Sequence, residues 1–139
     1  MSRLRTFSAA ALGAAVMVST LAGGAHSAAA EAAGESRVAL QADGYFYAYT
    51  HAGYNTLCHR WEGNARHWGH CNDKVSSVLN NGFPGHLDDV WVYKHAGYNS
   101  PGRGIYNGVG ISNLRNFTYD GTNQHMNDSI SSHRWVNLP

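Results

Sequence analysis

The chain carries little charge, and neither sign dominates. Only 14% of its 139 residues are charged, with ten Lys and Arg against nine Asp and Glu. Arg3 and Arg5 lie in an N-terminal segment that we expect to be removed, and the remaining chain, Glu31–Pro139, then has eight basic and nine acidic residues. There is no basic stripe to release counterions from nucleic acid or to meet anionic lipid. We therefore expect neither nucleic acid nor a membrane surface as a partner.

Long apolar runs are absent after the first thirty residues. Those thirty begin with the basic stretch "MSRLR", continue with an Ala-, Val- and Leu-rich centre and end with the small residues of "AHSAAA". This pattern is typical of a secretory signal peptide rather than a membrane anchor. Cleavage fits after Ser27 or Ala30, and we take Ala30. We predict a signal peptide at residues 1–30, a loose N-terminal arm at residues 31–43, and secretion of the mature chain.

Cysteine is scarce, with Cys58 and Cys71 the only two. In a secreted chain such a pair is most simply a disulfide, and closing a loop of about 14 residues stabilises the fold by roughly 3 kcal/mol. The alternative is a zinc site that adds His59, His67 and His70 as ligands. Neighbouring residues on a strand face opposite ways, which makes one shared tetrahedron awkward. The sequence favours the disulfide.

Catalytic signatures are missing as well. The chain has no Gly-rich phosphate loop, no HExxH and no nucleophile elbow. Ser, His and Asp are so plentiful that a triad could be drawn from many combinations, which makes none of them informative without geometry. We predict that the protein is not an enzyme.

Helical periodicity is hard to find, whereas Val, Tyr, Trp and Phe cluster in short alternating runs separated by Gly and Asn. The predicted strands are Tyr45–Thr50, Val75–Leu79, Val90–Lys94 and Ser131–Leu138, and the predicted turns are Asn80–Gly85 and Asn99–Gly104. The pattern indicates an all-β domain.

Two motifs occur twice, in the same order. "YTHAGYNT" (Tyr49–Thr56) returns as "YKHAGYNS" (Tyr93–Ser100) forty-four residues later, and "NDKVSS" (Asn72–Ser77) returns as "NDSISS" (Asn127–Ser132) fifty-five residues later. The second copy therefore carries eleven extra residues, which we place between Val109 and Gly121. Two copies of one supersecondary unit predict a pseudo-twofold domain, since each copy is too short to bury a core alone.

The repeated hexapeptide is rich in side-chain oxygens. Asn and Asp start turns by bonding nearby backbone N–H groups, and together with a Ser hydroxyl they offer the oxygen ligands that Ca²⁺ takes. The alternative is a turn with a strand-capping Ser and no metal. Two copies, each after the same Tyr-rich hairpin, favour calcium.

Paired [N/D][N/D]xx[S/T]S hexapeptides, each after a Y/FxxxxY/FxG hairpin, are the signature of βγ-crystallin domains, which this chain resembles from Gly44 to Leu138. The hairpins pair Tyr49 with Tyr54 and Tyr93 with Tyr98, and both lack the final Gly of the family pattern. The resemblance implies an all-β, βγ-crystallin-like β-sandwich over residues 44–139. Its two Greek keys would span about residues 44–88 and 89–138.

The resemblance also implies two Ca²⁺ sites, with ligands that cross between the hexapeptide loops. Asn72, Asp73, Asn127 and Asp128 would give side-chain or turn-shaping oxygens, Lys74 and Ser129 backbone carbonyls, and Ser76 and Ser131 hydroxyls. Ser77 and Ser132 would instead bond back to the folded hairpins. With one Asp per loop we expect a dissociation constant of about 10⁻⁶–10⁻³ M. The Lys74 ammonium makes the first loop the weaker candidate.

The layout is similar to that of the secreted bacterial proteins grouped as peptidase inhibitor family I36: a signal peptide, NDxxSS followed by "VLNNG", and one small β-domain. The resemblance implies an extracellular metalloproteinase as partner, met by an exposed loop at Asn99–Gly104 or Asn113–Gly121. No inhibitory residue can be assigned, because no segment matches a reactive loop. The alternatives are a carbohydrate or cell-wall binder that uses Tyr54 or Tyr98, and a calcium-stabilised structural or stress protein. We expect a monomer.

Overall fold

The computed structural model describes residues 35–37 and 41–139. The predicted signal peptide lies outside this part of the chain. The strands are β1 (Glu35–Arg37), β2 (Tyr45–His51), β3 (Asn55–Trp61), β4 (Ser77–Asn81), β5 (Asp89–His95), β6 (Asn99–Ile105), β7 (Val109–Ile111) and β8 (Ser132–Val136). Two short 3₁₀ helices occupy Gly69–Cys71 and Leu114–Asn116. No helix in residues 35–37 and 41–139 is long and apolar enough to cross a membrane.

The strands form two antiparallel sheets that exchange a segment between the repeats. One sheet has the order β1-β7-β4-β2-β3 and the other the order β6-β5-β8. β7 belongs to the second repeat but pairs with β4 of the first, where Val78 lies opposite Ile111. In return, Ala65 of the first repeat forms a β-bridge to His133 of β8. The predicted all-β sandwich of two Greek keys is confirmed, and neither repeat can complete its sheet alone.

The alternation of side chains along the strands explains the core between the sheets. In β2, Phe46 and Ala48 point inward and are fully buried. The alternating residues Tyr45, Tyr47 and Tyr49 lie on the outer face. In β5, Val90 and Val92 do the same from the opposite sheet. Strands whose alternate residues are apolar can cover one core with one face each.

His133 is the polar member of this core. It is fully buried and its ring lies about 5.0 Å from the rings of Phe46 and Trp61. The Trp68 indole N–H donates to its Nδ1 at 2.8 Å, and its Nε2 lies 3.0 Å from the carbonyl oxygen of Gly63. Burial lowers the pKa of His133 to about 4. The neutral imidazole, with Nε2 protonated, therefore satisfies both of its neighbours.

Four local predictions are wrong or displaced. The strand predicted at Val75–Leu79 is β4, which lies two residues later at Ser77–Asn81. The supposed turn Asn99–Gly104 is the edge strand β6, where Pro101 is tolerated because an edge strand has N–H groups without partners. Gly102 is in that strand because a Cβ there would lie 2.1 Å from Nε1 of Trp91. The predicted turn at Asn80–Gly85 begins two residues later, since β4 ends at Asn81. The arm is not loose at Glu35–Arg37, which pairs with β7.

The extra residues of the second repeat contribute to the core instead of forming a purely polar loop. After β7 the chain makes the 3₁₀ helix and then a small hairpin closed by Met126 N–H to Phe117 O at 3.0 Å and Tyr119 N–H to Gln124 O at 3.0 Å. Phe117, Tyr119 and Met126 are buried, whereas the tip near Asp120 is exposed. The insertion is therefore anchored by its own apolar residues.

Candidate metal centre at the hexapeptide loops

The last serine of the first hexapeptide ties the folded hairpin to the sheet. Ser77 Oγ donates to the carbonyl oxygen of His51 at 2.6 Å and accepts from the backbone N–H of Tyr54 at 3.0 Å. Tyr54 packs edge-on against Tyr49, with ring centroids 5.9 Å apart. The backbone of Thr56, at the position of the missing glycine, has a φ of 58°, which is rare for a β-branched residue. The hairpin thus keeps the conformation that a glycine would favour.

The second hairpin repeats this arrangement. Ser132 Oγ donates to the carbonyl oxygen of His95 at 2.6 Å and accepts from the N–H of Tyr98 at 3.1 Å. The rings of Tyr93 and Tyr98 lie 5.8 Å apart. The structure therefore places the two second serines in equivalent positions, each with both hydrogen-bonding functions of its hydroxyl engaged.

The first serine of each hexapeptide faces the other loop. Ser76 Oγ lies 3.5 Å from Asp128 Oδ1, and Ser131 Oγ lies 3.4 Å from Asp73 Oδ1. Each pair thus combines a hydroxyl from one repeat with a carboxylate from the other. We call the pair of Ser76 and Asp128 site A and the pair of Ser131 and Asp73 site B.

Backbone hydrogen bonds fix the two aspartates across the repeats. The N–H of Asp128 donates to Val75 O at 3.0 Å, and the N–H of Asp73 donates to Ile130 O at 3.3 Å. Val75 and Ile130 are buried in the core. Both aspartates have a positive φ, 53° for Asp128 and 57° for Asp73, which Asp tolerates better than most residues. These backbone hydrogen bonds therefore hold each carboxylate beside its serine.

The oxygen separations fit a shared cation better than a direct hydrogen bond. A hydroxyl donating to a carboxylate normally gives an oxygen–oxygen distance of about 2.5–3.0 Å. Two oxygens bound at right angles to one Ca²⁺, each about 2.4 Å from it, lie about 3.4 Å apart. The distances in sites A and B are 3.5 and 3.4 Å. Each pair could therefore supply two of the six to eight oxygens that Ca²⁺ takes.

The first residue of each hexapeptide also has unused hydrogen-bonding capacity. The side-chain oxygens of Asn72 and Asn127 are buried, and neither has a hydrogen-bond partner in the described part of the chain. An unsatisfied buried acceptor costs about 1–3 kcal/mol, so equivalent orphans in both loops favour a ligand or water there. The two asparagines thus share an environment, as the repeat predicts.

The comparison with known proteins identifies the fold. A scan against protein-family models finds no match, and a search of curated proteins finds none. Among solved structures, the chain is similar to a domain described under the evolution of the eye-lens βγ-crystallin domain fold. The TM-score is 0.54 at 21% identity, over 76% of this chain and 97% of the other. The chain has a βγ-crystallin fold.

Two further structures support the same fold. A βγ-crystallin from Ciona intestinalis matches with a TM-score of 0.51 and 17% identity, over 66% of this chain and 99% of its own. A βγ-crystallin from an archaeon matches with a TM-score of 0.50 and 18% identity, over 66% of this chain and 96% of its own. At these identities the likeness concerns the fold.

The two sites of this βγ-crystallin fold have different surroundings. Beside site A lies a depression of ≈ 230 Å³ whose lining includes Ser76, His51 and Arg115. The Arg115 guanidinium brings positive charge there, which opposes a cation. Near site B lies Tyr119, whose pKa is raised to about 12, chiefly by burial, with the Asp73 carboxylate adding to the shift. The sequence repeat alone gave no sign of this Tyr119, because it belongs to the insertion.

The two residues predicted to give backbone carbonyls differ in their contacts. Lys74 is exposed, and its N–H donates to Cys71 O at 3.2 Å. The Ser129 hydroxyl is held in the second loop, 2.8 Å from the Tyr119 hydroxyl and 3.0 Å from Met126 O. The insertion therefore reaches the second hexapeptide loop, whereas the first loop keeps an exposed ammonium.

The predicted disulfide between Cys58 and Cys71 is present. These cysteines and His70 form the one group of three or more His, Cys, Asp or Glu side chains in residues 41–139 that lie close enough to share a metal ion. Since the two sulfurs are bonded to each other, they are not available as thiolate ligands. The zinc alternative is therefore disfavoured at this position.

The tyrosines considered for carbohydrate binding are engaged within the fold. Tyr54 lies over the backbone of Gly110, where a Cβ would come within 2.5 Å of the Tyr54 hydroxyl oxygen. The guanidinium groups of Arg66 and Arg134 lie 5.6 and 5.3 Å from the centroid of the Tyr98 ring. Both rings are half-buried. Their main contacts are those that close the hairpins.

Proposed function

We propose that the mature chain is a secreted calcium-binding domain in which Ca²⁺ joins the two repeats and stabilises the folded state. The observation that carries the proposal is the cross-loop pairing of a hydroxyl and a carboxylate at 3.5 Å in site A and 3.4 Å in site B. Asp128 with Ser76, and Asp73 with Ser131, would hold the ions. The role is binding rather than catalysis, and secretion rests on the signal-peptide pattern of residues 1–30.

The ligands of each proposed site come from both repeats, so Ca²⁺ binding should depend on the folded state. Because each site takes one oxygen from each repeat, the sites exist only when both repeats are folded against each other. An ion that binds the folded state alone adds RT ln(1 + [L]/Kd), which is about 2.7 kcal/mol for each site at a hundredfold excess over Kd. For a domain of this size that raises the melting temperature by about 10 °C or more.

The test is a thermal melt of Glu31–Pro139 in EDTA and in millimolar Ca²⁺, with the double variant Ser76→Ala, Ser131→Ala beside the parent. We expect millimolar Ca²⁺ to raise the melting temperature of the parent by several degrees at least and to leave the double variant unchanged. Ser100→Ala, an exposed serine of β6, is the matched control and should respond like the parent. A parent that melts at the same temperature with and without Ca²⁺ contradicts the proposal.

Inhibition of an extracellular metalloproteinase stays a prediction that rests on the family resemblance. Asn99–Gly104 is a strand and offers no protruding loop. In the other candidate segment and its continuation, the exposed residues include Arg115 and Asn116 of the 3₁₀ helix and the tip of the insertion, around Asp120 and Asn123. The measurement is stoichiometric loss of metalloproteinase activity on adding the pure protein. If none is lost, the calcium-stabilised structural role is the better account.

A further inference from the structure

The loop that joins the two repeats borders a groove with an unusual surface. We call it the linker groove: a depression of ≈ 380 Å³ lined by Gly44, Glu62, Gly63, Asn64, Gly82, Phe83, His86, Leu87 and Trp135. It brings together the start of β2, the segment after β3, the linker that follows β4, and the end of β8. The hexapeptides precede β4 and β8, so the groove lies at the opposite ends of these strands.

Two aromatic rings lie against glycine backbone at the groove. A Cβ on Gly44 would lie 2.6 Å from Cε2 of Phe83, and a Cβ on Gly82 would lie 2.6 Å from Cζ3 of Trp135. Each ring is thus supported by backbone with no side chain between. Phe83 nevertheless remains 66% exposed. A ring seated on glycine and open to solvent offers a flat apolar surface to a ligand.

The linker keeps this apolar surface exposed at a conformational cost. Leu87, which is 45% exposed, has a φ of 54°, a left-handed backbone that a leucine rarely adopts. Its N–H donates to Asn137 Oδ1 at 2.6 Å, and Gly85 N–H donates to Asp88 Oδ2 at 2.8 Å, which hold the loop in place. Strained backbone that displays apolar side chains is more common at ligand sites than on an ordinary surface.

Polar groups around the rings define the class of ligand. Glu62 offers a carboxylate, Asn64 an amide and His86 an imidazole, and the lining contains no Lys or Arg. Each is already held by one contact within the fold: Tyr45 bonds to the Glu62 carboxylate, the Trp135 backbone N–H donates to Asn64 Oδ1 at 2.8 Å, and Asn137 Nδ2 lies 3.3 Å from His86 Nδ1. The buried Trp135 indole N–H has no hydrogen-bond partner in the described residues. A flat apolar face ringed by hydrogen-bonding groups matches a sugar ring, and a carboxylate without a basic neighbour in the lining disfavours an acidic one.

We propose that the linker groove binds a neutral hexopyranose unit of a glycan. The apolar face of the sugar packs on Phe83 and Trp135, and its hydroxyls bond to Glu62, Asn64 and His86. A protein partner that inserts an apolar side chain is the other occupant the shape allows, but it would desolvate the polar side chains of Glu62, Asn64 and His86 without offering them hydrogen bonds. The structure thus places sugar recognition at Phe83 and Trp135 rather than at Tyr54 or Tyr98.

Binding at this groove does not depend on the calcium proposal. The five residues of β4 separate Gly82 from the hexapeptide loop, a span of roughly 15 Å. Glycan binding should therefore persist in EDTA. A protein that binds glycan but not Ca²⁺, or Ca²⁺ but not glycan, would separate the two proposals.

The experiment is titration of isotope-labelled Glu31–Pro139, in EDTA, with cellohexaose and chitohexaose, and with hexagalacturonate as the acidic counterpart. Amide and Trp indole signals are followed by NMR. We expect shifts confined to the groove residues and the Trp135 indole, with a Kd on the order of 1 mM for one hexose unit in an open site. Hexagalacturonate should bind at least several-fold more weakly.

Three variants decide whether the groove is responsible. Phe83→Ala should weaken binding about tenfold by removing the stacking ring, and Glu62→Gln should weaken it several-fold while preserving shape. Tyr106→Ala is the matched control, since Tyr106 is 50% exposed and does not line the groove. The proposal is overturned if the parent binds neither neutral oligosaccharide up to about 20 mM, if hexagalacturonate binds equally well, or if Phe83→Ala and Glu62→Gln both bind like the parent.

Discussion

The buried histidine of the core makes the stability of the domain depend on pH in a calculable way. The two ring nitrogens of His133 are occupied by the Trp68 indole and the Gly63 carbonyl. Protonation at Nδ1 would replace an accepted hydrogen bond by a clash of two donors and would place a charge among aromatic rings. The folded state therefore resists protonation, and burial lowers the pKa of His133 to about 4.

The sign and size of the effect follow from the two pKa values. In the unfolded chain the pKa is the ordinary 6.5, so the unfolded state takes up a proton below that pH while the folded state does not until about pH 4. The unfolded state binds more protons throughout this window, and stability falls as the pH falls. From pH 7 to pH 5 this group alone should remove about 2 kcal/mol from the free energy of unfolding. The full loss, reached below pH 4, is about 3 kcal/mol.

The assay is urea unfolding at pH 7, 6 and 5, in EDTA, for the parent and for His133→Gln. The glutamine can still accept from Trp68 but cannot titrate, so the variant should lose less stability than the parent by about 2 kcal/mol over this range. His125→Gln removes an exposed histidine and should behave like the parent. The Asp43 carboxyl should not contribute to the pH dependence between pH 7 and pH 5. Its pKa is lowered from 3.8, because hydrogen bonds from Tyr47 and Tyr45 outweigh desolvation. Equal slopes for the parent and His133→Gln would refute the reasoning.

Two further predictions concern individual interactions that stabilise the fold, one serine hydroxyl and the disulfide. Ser132→Ala should lower the free energy of unfolding by about 1–3 kcal/mol. The substitution removes the hydroxyl that donates to His95 O and accepts from Tyr98 N–H, so both backbone groups lose this partner. Urea unfolding measures the loss, and a change no larger than that of exposed Ser100→Ala would contradict it. Replacing Cys58 and Cys71 by Ala should cost about 3 kcal/mol, because the disulfide constrains the unfolded chain. A double variant as stable as the parent would show that the loop it closes is already ordered when unfolded.

The repeated motifs predicted the architecture because each motif, hairpin or hexapeptide, is encoded within a short stretch of sequence. The hairpins and hexapeptides occupy equivalent positions in the two sheets, as their order implied. The exchange of β7 and the Ala65 bridge could not be predicted from composition, since it depends on contacts between residues far apart in the chain. The prediction of a turn at Asn99–Gly104 was wrong. Pro and Gly in a short segment favour a turn, whereas here Gly102 lies in a strand and leaves room for the Trp91 ring.

The composition of the candidate metal sites was predictable from the hexapeptides, and the family resemblance implied that ligands cross between the two loops. Spacing within one hexapeptide shows which oxygens are available, and only the folded chain shows that Ser76 lies beside Asp128 and Ser131 beside Asp73. The sequence indicated one difference between the loops, the Lys74 ammonium, but not the difference in surroundings that the structure shows. That difference in surroundings arises from Arg115 near site A and from Tyr119 near site B, which lie on segments outside the repeated motifs.

The two repeats use different interactions to hold the segment that connects each hairpin to its hexapeptide. Gly102 stands forty-four positions after Cys58, and Met126 stands fifty-five after Cys71, the offsets of the two repeated motifs. In the first repeat the disulfide joins β3 to the segment before the hexapeptide. In the second, where these positions hold Gly102 and Met126, Asp120 N–H donates to Gly102 O at 3.0 Å and Met126 is buried.

A short connection contributes little core of its own, so a covalent bond is the effective way to hold it. The connection of the second repeat is eleven residues longer, which gives it room for Phe117, Tyr119 and Met126 and for a small hairpin. Burial of these side chains can do for the second repeat what the disulfide does for the first. Both devices act directly before a hexapeptide, and so hold in place the loops that carry Asp73 and Asp128. The departures from twofold symmetry thus preserve the symmetry of the sites.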